Sequence, residues 1–268
     1  MKTIRFVKMH GAGNDFVLVD DRDGSFPSDD HRRIAALATR PDGIGCEGVI
    51  LVQRPVSDAA DFRMRFFNPD GTEADLCGNG ARCVAAFARA IGAARRDTMR
   101  FETAAGTVDA ELLGDGLVKV AMPPPRDFGE DFCVAGVPHK IVPVENLAKT
   151  DVAGEGRRIR MSEAFAPDGT NVDFVVYRPP NRVTIRTYER GCECETFACG
   201  TGSVAAAVIG VADYGLRFPV HVKTSQGYEL TVDGAWDGTR FDGVTLTGPV
   251  KRVFAGEIDW DALDMVGE

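Results

Sequence analysis

The sequence predicts an α/β (α+β) chain of two pseudo-symmetric halves, each a curled mixed or antiparallel sheet around a central helix. Three observations carry this. A Cys-Gly-polar-Gly motif occurs twice, in TEADLCGNGARCVAA (72–86) and ETFACGTGSVAAA (195–207), which places Cys77 and Cys199 122 residues apart. Each motif runs into an Ala/Val-rich helical segment, and short β-branched segments bounded by Gly, Pro or Asp fill most of the rest. The length of 268 residues suits about two domains.

Three further segments repeat in the same order. MRFFN (64–68) aligns with IRTYE (185–189), which sets Asn68 opposite Glu189. GIGCEGVILV (43–52) aligns with GTNVDFVVYR (169–178). GNDFVLVD (13–20) matches GVPHKIVPVE (136–145) more loosely and sets Phe16 opposite His139. Strands are expected over 5–9, 15–20, 48–53, 62–67 and 117–122, then over 140–144, 174–178, 182–188, 220–224, 228–232 and 244–248. Helices are expected over 29–40, 81–92 and 203–215. The first is amphipathic. The last is apolar nearly all round, the mark of a helix buried on every side. The Pro-rich stretch MPPPRDFGED (122–131) is the natural crossing point. The expected division is therefore 1–122 and 123–254, with the tail 255–268 packed on the first half.

Composition narrows the partners. The chain has 31 basic and 40 acidic side chains, a net charge of -9 and a pI of about 5.1. An acidic chain with no run of Lys or Arg is a poor match for nucleic acid or an anionic membrane surface. No apolar stretch approaches the roughly 20 residues that span a bilayer. The first residues show no apolar signal core. Seven cysteines, an odd number in a chain too long to need staples, fit free thiols in a reducing cytoplasm.

The chemistry lies in the two repeated cysteines. A helix N-terminus carries unpaired backbone N–H groups and a partial positive charge, and glycines there let an anion approach the backbone. The same field favours a thiolate and is expected to lower the pKa of a cysteine at that position. Two such seats converging on one ligand place a thiol on each face of a carbon whose carboxylate the helix ends hold. That arrangement removes a proton from one face and returns one to the other. It is racemisation or epimerisation of an amino acid by acid–base catalysis, with no cofactor. Taken singly, a Cys before Gly serves equally as a small core residue. Cys192, Cys194 and Cys199 also permit a metal reading, but their C-x-C-x4-C spacing is not that of a structural zinc site and no His lies near, so no metal is assigned. Cys46, Cys83 and Cys133 read as core thiols.

MHGAGNDF (9–16), FNPDGTEADLCGNGARC (67–83), GTNVDF (169–174) and ERGCECETFACGTG (189–202) resemble the diaminopimelate epimerases over nearly the whole chain. The resemblance implies an enzyme independent of pyridoxal phosphate (PLP) that interconverts LL- and meso-2,6-diaminopimelate in lysine and cell-wall biosynthesis. It also implies two pseudo-symmetric α/β domains and, usually, a homodimer. It makes Cys77 and Cys199 the acid/base thiols, and His139 and Glu189 the groups that orient and tune them. Gly78, Asn79, Gly200 and Thr201 become the helix ends around the reacting carboxylate. Asn14, Asn68, Asn171, Glu189 and Arg190 become substrate contacts, as a substrate with two amino-carboxylate ends requires. The residue types alone leave other uses open: Asn14 and Asn68 as turn formers, His139 as a strand histidine, Arg190 as a surface ion pair. The chain departs from the family pattern at Gly48, where many members have Gln, at Val137, where many have Asn, and in one extra residue within 192–194. These departures touch the substrate pocket. They keep open a cofactor-independent racemase of proline, hydroxyproline or histidine. A Cys-rich metal-binding protein is the alternative outside that class.

Overall fold

A computed structural model of the chain describes residues 2–75 and 77–263. It divides into two compact units, Met1–Val120 with Val250–Glu268, and Ala121–Pro249.

In the first unit the strands are β1 (Thr3–Gly11), β2 (Asn14–Asp20), β3 (Val49–Gln53), β4 (Phe62–Phe67), β5 (Glu73–Ala74), β6 (Thr98–Thr103), β7 (Gly106–Gly114) and β8 (Leu117–Ala121). They pair in the order β1–β2–β3–β4–β6–β7–β8, and β5 adds to β4. The β2–β3 and β4–β6 pairs are parallel, and the others in that order are antiparallel. Helix α1 (His31–Ala38) leads into β3, the second strand of the first parallel pair. Helix α2 (Gly78–Ala90) touches β1, β2, β3, β4 and β7, so the sheet curls round it.

The second unit repeats this scheme. Its strands are β9 (Arg126–Gly129), β10 (Phe132–Ala135), β11 (Val137–Pro143), β12 (Asn171–Arg178), β13 (Arg182–Glu189), β14 (Cys194–Thr196), β15 (Val220–Lys223), β16 (Glu229–Trp236) and the start of β17 (Phe241–Asp259). The order β10–β11–β12–β13–β15–β16–β17 has the same alternation, with β11–β12 and β13–β15 parallel and β14 added to β13. Helix α4 (Gly200–Asp213) touches β10, β11, β12, β13, β15 and β16. The duplicated architecture expected from the sequence is thus present strand for strand. β17 continues from Val250 into the first unit and pairs with β1, Thr3 opposite Asp259. Trp260 and Leu263 then enter that unit's core, where the Trp260 and Phe26 rings meet edge to face at 5.0 Å. Residues 264–268 of the expected tail lie outside the described residues.

Both buried helices begin three residues earlier than the apolar pattern suggests, because glycines start each one. α4 is buried from Gly200 to Gly210 save Thr201, which is half-buried. Helix α3 (Val152–Arg160), over β12 and β13, is absent from the sequence-based reading. Its two glycines and four charges hide its period. Asp151 caps it, accepting the Gly154 amide at 2.9 Å. Gly156 is required by packing, since a Cβ there would lie 2.5 Å from the Tyr188 Cβ. Weakly patterned strands such as β6, β7, β9 and β10 were also not expected.

Candidate active site

In the second unit the repeated motif places Cys199 at the N-cap of α4 with extended backbone (φ -102°, ψ 116°). Its Sγ accepts the Gly202 amide at 3.4 Å, the contact a Ser or Thr cap would make. Around it the sheet supplies a connected polar network. His139 on β11 and Asn171 and Asp173 on β12 sit in the parallel β11–β12 ladder, with His139 opposite Asn171. The His139 Nδ1 lies 2.7 Å from Asp173 Oδ2, and both side chains are wholly buried. The other Asp173 oxygen accepts the Thr187 hydroxyl at 2.6 Å. The Asp173 carboxylate accepts, so the tautomer that satisfies this pair carries its proton on His139 Nδ1 and leaves Nε2 to accept. The Thr201 hydroxyl donates to Nε2 at 2.9 Å, and its oxygen lies 3.3 Å from Cys199 Sγ. Glu189, at the end of β13, accepts the Thr196 hydroxyl at 2.8 Å and also a hydrogen bond from the Cys199 thiol. The single S–H proton thus has two acceptors in reach, a carboxylate and a hydroxyl.

The charges set the thiol's state against the expectation from the helix end alone. Burial first, then the negative Glu189 and Asp173, push Cys199 well above the usual thiol range, while the bonds to Thr201 and the Gly202 amide oppose this. Burial also raises Glu189, against its bonds from Cys199 and Thr196. A helix N-terminus lowers a thiol pKa only where the thiolate keeps solvent or cationic company. Cys199 has neither, and so it is held as a thiol.

The other expected contacts of this unit divide. The Asn171 amide oxygen accepts the Arg190 backbone N–H at 2.8 Å, and its Nδ2 lies 3.5 Å from His139 Nε2, so Asn171 braces the site. The Arg190 guanidinium donates to the Asp168 carbonyl at 3.2 Å on an exposed rim. Cys192 and Cys194 are exposed on the β13–β14 turn. Among the described residues no group of three or more His, Cys, Asp or Glu side chains is placed to hold a metal ion.

In the first unit Cys77 is the N-cap of α2, again extended (φ -124°, ψ 119°). Gly78 and Asn79 form the first turn, and Gly11 of β1 packs so closely on it that a Cβ would lie 2.9 Å from the Asn79 carbonyl. The ladder partner of Gly11 is Asn14, whose buried Oδ1 has no hydrogen-bond partner. A buried orphan acceptor costs about 1–3 kcal/mol. Asn68 ends β4 in a turn, its Nδ2 donating to Thr72 Oγ1 at 3.2 Å and its amide to the Thr72 carbonyl at 2.8 Å. Arg82, wholly buried, folds back along α2 and donates to Asn79 Oδ1 at 2.6 Å and to the Gly78 carbonyl at 3.3 Å. Burial lowers it to about 10, opposed by the nearby Cys83 and Cys77. It fixes the Asn79 side chain and puts a cation against the first turn of α2.

The family profile described as diaminopimelate epimerase matches residues 6–127 and 132–253. The chain belongs to the diaminopimelate epimerase family. A diaminopimelate epimerase of Aquifex aeolicus is 41% identical over 97% of this chain and 100% of its own, and one of Chlorobaculum tepidum is 41% identical over 93% and 99%. Among solved structures, a PhzF-family phenazine biosynthesis protein of Bacillus anthracis superposes with a TM-score of 0.72 at 18% identity, covering 96% of this chain and 99% of its own. A probable proline racemase of Agrobacterium radiobacter superposes at 0.71 with 17% identity, covering 96% and 93%. These two likenesses are of fold. The chain is accordingly an isomerase of the diaminopimelate epimerase type.

Within that family's pattern the Gly48 departure has a packing cause. A Cβ at position 48 would lie 2.4 Å from the Phe66 ring and 2.9 Å from the Phe67 carbonyl, so Phe66 fills the space a larger residue needs. Asp173, Thr187 and Arg82 were not among the expected site residues. Asp173 and Arg82 had a signal, each a charge inside an apolar run, which demands a buried partner.

Proposed function

We propose that Cys77 and Cys199 are the two acid/base groups that interconvert LL- and meso-2,6-diaminopimelate. One thiolate takes the Cα proton, and the other thiol delivers a proton to the opposite face of the planar carbanion. The backbone N–H groups of Gly78 and Asn79, and of Gly200 and Thr201, hold the adjacent carboxylate as its charge grows. Glu189 and the Asp173–His139–Thr201 chain keep Cys199 protonated at rest, which makes Cys199 the acid and Cys77 the base in the encounter that starts from that state. Asn14, Asn68, Asn171, Glu189 and Arg190 orient the two amino-carboxylate ends. No PLP or metal enters this scheme. The observation that carries the reading is the matched construction of the two units, each with one cysteine capping a glycine-started helix inside the same strand scheme.

Free thiols and the acidic surface support work in the cytoplasm, and the family resemblance supports a homodimer. Among the described residues no helix is long and apolar enough to cross a membrane. The test is to offer LL-diaminopimelate beside L-proline and L-histidine, after dialysis against EDTA and hydroxylamine, and to follow stereochemistry. Turnover of diaminopimelate alone supports the reading. Turnover of proline or histidine in its place, or activity restored only by PLP or zinc, overturns it.

A further inference from the structure

The turn between β13 and β14 carries two thiols that this chemistry does not use. Cys192 and Cys194 are both free and exposed. Their sulfurs lie 2.7 Å apart, inside the distance at which unbonded sulfurs rest, so a small side-chain movement separates the pair from a bond. The turn that brings them together is braced from several sides. Gly191 (φ 99°) and Glu193 (φ 50°) take left-handed backbone conformations. The Glu193 carboxylate accepts from Arg160 Nε at 3.0 Å, the Gly191 amide at 3.2 Å and the Tyr188 hydroxyl at 3.3 Å. Cys192 and Cys194 therefore meet because the turn is held in one shape.

That turn is fastened to Glu189. Cys194 is its partner across the β13–β14 ladder. The Glu193 amide donates to the Glu189 carbonyl at 3.0 Å, and the Cys192 Sγ touches the same carbonyl at 3.7 Å. The Glu189 carboxylate in turn accepts the Thr196 hydroxyl at 2.8 Å, and its charge opposes ionisation of the Cys199 thiol.

We propose that Cys192 and Cys194 form a reversible disulfide when the protein meets a peroxide, and that the closed bridge slows the enzyme by displacing Glu189. The chemistry is balanced. One thiolate attacks a peroxide oxygen and becomes a sulfenic acid, breaking the O–O bond. The second thiol attacks that sulfur and expels water. Both cysteines are oxidised, the peroxide is reduced, and two waters leave. A dithiol reductant reverses the bridge by exchange. Exposure gives oxidant and reductant access, as a switching pair requires.

The effect on rate rests on the proposed roles of Glu189 and Cys199, but formation of the bridge does not. The purified full-length protein is treated with hydrogen peroxide, alkylated and cut with trypsin. The peptide 191–217 holds Cys192, Cys194 and Cys199. We expect it to lose two hydrogens, with fragment ions placing the bridge between Cys192 and Cys194 and Cys199 still alkylated. Epimerase kcat/KM should fall about tenfold with the bridged fraction, well within the effect of small misplacements at a site. Dithiothreitol should restore it, and Cys192→Ser, compared with its own activity before oxidation, should resist. If 192 and 194 remain alkylatable while other thiols oxidise, the bridge is overturned. If the bridge forms and the rate holds, or if Cys192→Ser loses activity equally, the coupling to Glu189 is overturned. A protein without epimerase activity before oxidation rejects the proposed function instead, and the peptide mass still decides the bridge.

Discussion

Asp173 and His139 share a hydrogen bond of 2.7 Å with both side chains wholly out of water. The carboxylate lies on β12 and the imidazole on β11, one strand over in a parallel ladder, so the pair is fixed by sheet register and not by flexible loops. Asp173→Asn keeps the shape but offers an amide that donates as well as accepts. His139 then loses the fixed proton on Nδ1, and the Thr201 hydroxyl loses its defined acceptor. We expect kcat to fall about 100-fold, the scale of a lost acid–base positioning group, with KM changed far less. Steady-state kinetics checks this, and a variant within twofold of the parent in kcat removes the Asp173–His139 pair from the proposed mechanism.

The buried thiols make stability fall at alkaline pH. Burial raises Cys46 from 9.0 to about 11 and Cys133 from 9.0 to about 12. Cys199 is also raised by burial and by its acidic neighbours. Each thiol binds its proton more tightly folded than unfolded. Its stabilisation is full below pH 9, shrinks as pH rises past that value, and for Cys46 is exhausted near pH 11. Each raised thiol contributes a slope of about 1.4 kcal/mol per pH unit within its window. Urea midpoints measured between pH 8 and pH 11 should be level at first and then drop. A flat profile would show the thiols ionising freely in the folded protein.

Position 48 tests the packing account of the departure from the family. Gly48→Gln sets a Cβ into the Phe66 ring and should destabilise the protein by about 1–3 kcal/mol, as overpacking does. Combining it with Phe66→Leu should recover at least half of that loss. Thermal denaturation of the single and double variants decides the matter, and simple addition of the two costs would place the cause elsewhere.

Much of this was legible because duplication is written twice. Cys77 and Cys199, each followed by Gly-polar-Gly, mark the two buried helices, although the glycines start each helix three residues before its apolar run. The illegible parts had contrary local signals. α3 was hidden by Gly154 and Gly156, the second present only because Tyr188 lies against it. The state of Cys199 was misjudged, because a helix end is read from sequence while burial and the approach of Glu189 and Asp173 are products of packing. Asp173 was visible in GTNVDF as a charge within an apolar strand, but its partner His139 is 34 residues away in sequence and adjacent only through the ladder.

The two-thiol mechanism itself predicts an isotope pattern. If Cys77 and Cys199 work on opposite faces of Cα, the proton removed stays on the first sulfur and the product's proton comes from the second. The second sulfur has exchanged with solvent before substrate arrives. In heavy water, product formed in the first turnovers should carry deuterium at the inverted Cα, while substrate recovered at the same time carries almost none. A single base swinging between faces would instead return much of the original proton to the product. Replacing either cysteine with Ala removes one of two protonation states needed together, so Cys77→Ala and Cys199→Ala should each lose epimerisation by a factor of about 100 or more. The two variants need not be equivalent in partial reactions. With Cys199 held as a thiol by Glu189 and Asp173, its loss removes the acid, and Cys77 can still abstract a proton and return it to the same face. Cys199→Ala should therefore still exchange the α-proton of one stereoisomer with solvent without inverting it. Mass spectrometry of recovered substrate reads that exchange. Near-normal inversion by either variant would show that the replaced cysteine is not an acid/base group.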